Sequence, residues 1–212
     1  MAIGRRGIVG VGSILVVTVF LGGLGRAEAL DGAALVMALR QGGFVLVMRH
    51  ASSPAKPPDK AAADPANLGY ERQLDDFGRN SAKEMGAALN RLRIPVGVVW
   101  SSPAYRTRET IRLASLGVPQ IAPELDEGTK GMQGGADASK AAWLRAKAAE
   151  APKTGTNTII VTHFPNIVGA FGQRAASLAA GEALVFHPGG KAADDLVARV
   201  TIEEWSRLGK QS

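Results

Sequence analysis

Phe44-Val45-Leu46-Val47-Met48-Arg49-His50 is an apolar run that ends abruptly in a guanidinium and an imidazole. Five consecutive apolar residues without alternation describe a strand covered on both faces, as in a parallel sheet packed between helices. In such sheets ligands bind outside the carboxyl ends of the strands. Arg49 and His50 are delivered together to that edge, where a cation and an imidazole suit an anion.

Two further runs end in the same way. Val96-Gly97-Val98-Val99-Trp100 leads into Ser101-Ser102-Pro103-Ala104-Tyr105-Arg106, and Thr158-Ile159-Ile160-Val161-Thr162 leads into His163. As neighbours in one parallel sheet, the three runs place Arg49, His50, Arg106 and His163 along one edge. Two of the chain's three histidines then meet across a pocket that holds two guanidiniums.

Helical periodicity fills the intervals. Asp31 to Gln41 reads as a short helix with Asp31 as cap and Gly42-Gly43 as its stop. Gly78 to Arg93 is amphipathic, Pro103 fits the first turn of a helix behind a Ser102 cap, and Ala136 to Glu150 and Asn166 to Ser177 supply two more. Ala183 to Phe186 and Leu196 to Ile202 read as further strands, an antiparallel pair across Pro188-Gly189-Gly190. Ala51 to Asn67, rich in Pro, Ala, Lys and Asp, is a loop long enough to act as a lid, and its Lys56 and Lys60 are either attractors of an anionic substrate or solvated charges. The alternation defines an α/β protein, a three-layer α/β/α sandwich with a mostly parallel central sheet.

The chain has 212 residues, 46% of them hydrophobic, enough for one domain with a sizeable core. Its start differs: Arg5-Arg6, an apolar stretch from Ile8 to Leu24, then Ala27-Glu28-Ala29. Residues 1–29 are expected to be a signal peptide cleaved after Ala29, with an uncleaved anchor as the alternative and the twin-arginine route left open. Residues 30–212 form the remaining domain, exported to the periplasm or the extracellular space, and contact a membrane only through the N-terminal segment if that is retained. Without residues 1–29 the formal net charge falls from +6 to +4, and the cations are scattered, so no nucleic-acid partner is expected. With no cysteine the chain has neither disulfide nor thiolate nucleophile.

Arg49-His50-Ala51 after one strand, Ser101-Ser102-Pro103-x-x-Arg106 with Glu109-Thr110 after a second, and Thr162-His163 after a third together resemble the histidine phosphatase superfamily, the phosphoglycerate-mutase-like fold. Arg72-Gln73-Leu74-Asp75-Asp76-Phe77-Gly78-Arg79 is similar to that family's lead into its first long helix. The resemblance spans Phe44 to the C-terminus. It implies a metal-independent, cofactor-free phosphatase in which His50 takes the phosphoryl group, and Arg49, Arg106 and His163 hold its oxygens. Ser52 is a further phosphate-binding candidate. The resemblance also implies a carboxylic acid to protonate the leaving oxygen. Leu125-Asp126-Glu127 followed by Gly128 to Gly134 matches the family's acid segment and favours Glu127, with Glu124 and Asp126 as competitors.

Departures from the family pattern narrow the class. Ala51 stands where many members have glycine, as in phosphohistidine phosphatases, and Phe164-Pro165-Asn166 follows His163 where the phytase branch has aspartate. Phe164 and Asn166 are therefore candidate substrate contacts, with packing as the alternative for Phe164. His187 reads as a strand-end residue without a catalytic part. The expected substrate is a small phosphorylated molecule, an envelope sugar phosphate by preference. A non-catalytic phospho-ligand binder and a phosphomutase are the rival readings.

Overall fold

A computed structural model describes residues 30, 32–127, 137–189 and 196–208. The expected signal segment, the Asp31 cap and the glycine-rich turn after Glu127 lie outside the described residues. The elements run α1 (Gly32–Gln41), β1 (Val45–Arg49), α2 (Asp76–Arg91), β2 (Val96–Ser101), α3 (Tyr105–Leu113), β3 (Gln120–Ile121), α4 (Ala138–Ala148), β4 (Asn157–Thr162), α5 (Phe164–Phe171), β5 (Ala183–Phe186), β6 (Leu196–Val200) and α6 (Ile202–Leu208). Short 3₁₀ turns occupy Lys60–Ala62, Pro123–Leu125 and Gly172–Ala175.

The six strands form one sheet in the order β3-β2-β4-β1-β5-β6, with β5 antiparallel to both of its neighbours and the remaining pairings parallel. β1 shows why its run lacks alternation. Leu46 and Met48 enter a core with α1, α2, α3 and α6, whereas Val45 and Val47 enter a second core with α4 and α5. Apolar side chains are needed on both faces, which gives the three layers.

Register sets the functional edge. Arg49 stands opposite Thr162 and Ser101 opposite Val161, so the residues that follow each strand emerge side by side. The backbone seals this: His50 N–H donates to Thr162 O at 3.0 Å, and Ser102 N–H to Val161 O at 3.1 Å. Gly78 lets α2 close on the same edge, since a Cβ there would lie 2.1 Å from Ser52 O.

Several boundaries differ from the sequence expectation. The helix after β2 starts at Tyr105 rather than at Pro103, and Ser102 is not its cap. α5 begins earlier, at Phe164, with Pro165 in its first turn, and ends at Gly172, whose φ of +56° breaks the helix. The last strand stops at Val200 because Ile202 and Trp205 are buried as one face of α6. No described helix is long and apolar enough to cross a membrane.

Candidate active site

His50 lies just past β1, with 4% of its surface exposed. Its Nδ1 is 2.7 Å from Ala51 O, and its Nε2 is 3.2 Å from Arg106 Nε. A guanidinium only donates, so Nε2 must be the acceptor and Nδ1 carries the proton. The ring is thereby fixed with an Nε2 lone pair directed into the pocket.

Arg106 comes from the first turn of α3 and is 5% exposed. Its backbone is set from two sides. Glu71 Oε2 accepts the N–H of Tyr105 at 2.9 Å, and Thr110 Oγ1 donates to Arg106 O at 2.8 Å while accepting Ala51 N–H at 3.1 Å. Thr110 therefore locks α3 to the residue behind His50. The guanidinium reaches three groups: Nε donates to His50 Nε2, and Nη2 donates to His163 Nδ1 at 3.0 Å and to Glu127 Oε1.

His163 is fully buried at the end of β4. With its Nδ1 accepting from Arg106, its Nε2 carries the proton and donates to Ser102 Oγ at 2.8 Å. The two histidine rings stand 5.4 Å apart, edge to face at 64°. Ser102, expected as a helix cap, instead orients this imidazole.

Glu127 is brought in by its backbone. Thr162 Oγ1 and Asn166 Nδ2 donate to Leu125 O at 2.7 and 2.8 Å, and Lys140 Nζ donates to Asp126 O at 2.7 Å. These bonds hold the Leu125-Asp126-Glu127 segment along the sheet edge. The Glu127 carboxylate then contacts Arg106, stands 3.6 Å from His163 Nδ1, and pairs with Arg72 Nη1 at 3.7 Å. Among the described residues, neither Glu124 nor Asp126 makes a side-chain hydrogen bond or ion pair with this cluster. Asn166, read as a candidate substrate contact, here braces the Leu125-Asp126-Glu127 segment through its Nδ2.

Arg49 sits beside the cluster, with its Nη1 on Leu178 O at 2.9 Å, its Cζ 5.4 Å from the centre of the Phe164 ring, and its buried Nε without a hydrogen-bond partner. Phe164 thus supports a guanidinium. Ser52 does not join the cluster: its hydroxyl donates to Asp75 Oδ2 at 2.7 Å, because Asp75 caps α2 and turns toward it. His187 packs on Phe44 at the opposite end of β1, away from the edge. Lys56 and Lys60 are exposed, the latter 5.6 Å above the Tyr70 ring. Arg72, quoted from the sequence only as part of a family segment, is the functional-edge residue that periodicity did not single out.

Burial is the main influence on charge. It pushes His50 down from the ordinary histidine value to about 3, helped by the charges of Arg106, Arg49 and Arg72 and opposed by the bond to Ala51 O. His163 is pushed down in the same way, by burial first and Arg106 next. Burial also lowers both Arg49 and Arg106, with Glu127 opposing. Both imidazoles are neutral across the neutral range, and among the described residues no group of three or more His, Asp or Glu side chains is placed to hold a metal ion.

A nucleophile-competent imidazole, buried guanidiniums and a carboxylate at the carboxyl edge of a parallel sheet define a phosphoryl-handling α/β protein. The chain belongs to the histidine phosphatase superfamily, branch 1, whose family model matches residues 45–155. That span includes His50, Arg106 and Glu127 and ends before His163.

Among solved structures, the protein histidine phosphatase SixA complexed with tungstate is similar at 18% identity and a TM-score of 0.54, over 76% of this chain and 98% of that one. The protein described as a phosphohistidine phosphatase SixA from Nakamurella multipartitia aligns at 23% identity and a TM-score of 0.48, over 74% and 91% of the two chains. A phosphoserine phosphatase variant of Entamoeba histolytica in complex with phosphoserine aligns at 12% identity and a TM-score of 0.43, over 68% and 89%. No curated protein sequence matches the chain.

Proposed function

We propose that this protein is an exported phosphatase that hydrolyses a phosphomonoester through a covalent phosphohistidine on His50. The observation that carries the reading is the fork of Arg106, which spans His50 Nε2, His163 Nδ1 and Glu127 at once. A tetrahedral phosphoryl group offers oxygens to the same donors, and a guanidinium matches their spacing. Arg49, whose buried Nε has no partner, supplies a further donor. The phosphoryl group takes over Arg106 and thereby frees the Nε2 lone pair.

In the first step Nε2 attacks phosphorus, the bond from phosphorus to the leaving oxygen breaks, and protonated Glu127 gives its proton to that oxygen. The positive charge left on the ring is shared with Ala51 O through Nδ1–H. In the second step water attacks phosphorus, Glu127 accepts the water's proton, and the P–N electrons return to His50 Nε2. Phosphate leaves without any metal taking part. The N-terminal pattern of Arg5-Arg6, Ile8 to Leu24 and Ala27-Glu28-Ala29 supports export, and an envelope sugar phosphate suits that location.

Rapid quenching with a phosphoryl-labelled aryl phosphate tests the covalent step. Label is expected on the protein as an acid-labile, base-stable adduct, with peptide mapping placing it on His50; label on another residue, or none at any time point, removes the reading. Glu127→Gln separates the acid from the nucleophile. Its rate is expected to fall roughly 100-fold or more for alkyl phosphates. For 4-nitrophenyl phosphate, whose leaving group needs no proton, the loss should stay under about tenfold. Equal losses on both substrates would exclude Glu127 as the donor.

A further inference from the structure

The cluster has two tiers. His50, Arg106 and His163 are 5% exposed or less, whereas the side chains of Arg72 and Glu127 are 26% and 15% exposed and stand nearer solvent. The inner cations are largely committed, with only the buried Nε of Arg49 unpartnered among the described residues. Arg106 holds both imidazoles, and Arg49 holds Leu178 O over the Phe164 ring. Arg72 differs: among the described residues only its Nε is hydrogen-bonded, to Pro54 O at 2.7 Å, and the fork end meets a single group, Glu127 Oε1, at 3.7 Å.

That placement is built by the segment between β1 and α2. Gln73 Oε1 accepts Asp64 N–H at 2.9 Å and its Nε2 donates to Ala62 O at 3.0 Å. Asn67 Nδ2 donates to Glu71 O at 2.7 Å and its Oδ1 accepts Glu71 N–H at 2.9 Å. Ser53 Oγ donates to Gln73 O at 2.8 Å, and Glu71 is itself seated on the first turn of α3. A connection of this length is ordinarily a surface loop. Here it is cross-tied on both sides of residue 72, and the guanidinium is presented with one end anchored and the other open.

Charge balance says what the open end meets, on the reading above that Glu127 is the proton donor. To protonate a leaving oxygen Glu127 must itself be neutral, and the phosphoryl group must have displaced it from Arg106. In that state the single contact of the Arg72 fork has lost its charge. The cation is left on the solvent side of the phosphoryl group, where the leaving alcohol lies. An anionic substituent on that alcohol restores the pairing, and a neutral one does not.

We infer that Arg72 is a specificity-determining residue that recognises a second anionic group, a carboxylate or a second phosphate, on the leaving alcohol of the substrate. The substrate class is accordingly a bisphosphate or a phosphorylated hydroxy acid, which includes acidic sugar phosphates.

Glycerol 3-phosphate and 3-phosphoglycerate share a three-carbon scaffold and differ in a hydroxymethyl against a carboxylate. Phosphate release by the folded wild-type protein is expected to show a higher kcat/KM for phosphoglycerate. Arg72→Gln should lower that value at least tenfold while changing the value for glycerol phosphate less than threefold, and Arg72→Lys should restore part of the preference. Equal losses on both substrates would make Arg72 a holder of the phosphoryl group itself and overturn the inference, as would a wild-type protein without preference. Failure to turn over either substrate or any aryl phosphate would instead remove the phosphatase reading beneath it. Because an exposed contact is screened by salt, the wild-type preference should also shrink between low and high ionic strength; a ratio independent of salt counts against Arg72.

Discussion

Phosphate release by the His50→Ala variant is expected to fall by roughly 10⁴-fold or more, the scale seen when a covalent nucleophile is removed from a cluster that acts as a unit. The residue has no substitute. The other imidazole in the pocket, His163, is fully buried and fixed by Ser102 through Nε2–H, with Nδ1 facing Arg106 and Glu127, and is not expected to take over the attack. The protein should nonetheless fold, because the backbone bonds of His50 to Thr162 and Gly181 do not need its side chain. Unfolding midpoints measured beside the rates would establish this, and a variant that retains activity within tenfold of wild type would refute a nucleophilic His50.

The wild-type pH response carries a second mark of the same residue. With burial holding the folded value at about 3, His50 is already neutral at pH 5, so kcat/KM should show no acid limb near 6.5 once the substrate's own ionisation is allowed for. Stability responds with a definite sign. Above about pH 6.5 neither state protonates this residue, and between about 6.5 and 3 the unfolded chain binds a proton that the folded chain refuses. Stability is therefore fully present above 6.5 and is lost as the pH falls through that window, by at most about 1.4 kcal/mol per pH unit for this group. His50→Ala removes this share, so its stability should decline less steeply on acidification.

The strands that build the edge were legible because each must cover two cores. Val45 and Val47 serve one face and Leu46 and Met48 the other, and a run without alternation is the direct trace of that demand. Arg49, His50 and His163 could be placed at the edge for the same reason, since they follow such runs immediately. What stayed hidden depends on where polar side chains point after folding. Ser102 reads as a cap, yet its hydroxyl faces His163, which arrives from a strand 61 residues later. Asn166 reads as a helix-start residue, yet it holds Leu125 O across 41 positions and so positions Glu127. Arg72 sits in a stretch without periodicity, and its reach follows from the cross-ties made by Asn67 and Gln73. α6 did carry a signal: Thr201-Ile202-Glu203-Glu204 fits a capping box, and Thr201 N–H does donate to Glu204 Oε2 at 2.6 Å. The apolar continuity from Leu196 to Ile202 masked it. β3 has only two residues, too few for any period to register.

Arg106→Met is the variant that separates catalysis from stability. In the resting protein Arg106 satisfies acceptors on both histidines and Glu127; with substrate it would bear the phosphoryl charge that builds in the transition state. Loss of such a donor typically costs 10² to 10³ in rate, and because this one guanidinium also sets both imidazoles, a fall of about 10³, or roughly 4 kcal/mol of transition-state stabilisation, is expected. Stability should fall by less, on the order of 1–3 kcal/mol, because the acceptors on His50 and His163 lose their donor. Burial already disfavours the charged guanidinium, and methionine keeps the apolar stem as far as the position of Nε, which offsets part of that loss. Glu127, being partly exposed, can turn to water and to Arg72 rather than remain an uncompensated buried charge. Arg106→Lys should lie between the two in rate, since it keeps the charge but lacks the fork that reaches His50 and His163 together. The measurement is kcat/KM for an aryl phosphate beside the urea midpoint of each variant. A methionine variant that loses activity only in proportion to its unfolded fraction would show that Arg106 holds the fold rather than the phosphoryl group. A lysine variant as active as wild type would show that its charge alone matters, and the two-pronged geometry would then explain nothing about the rate.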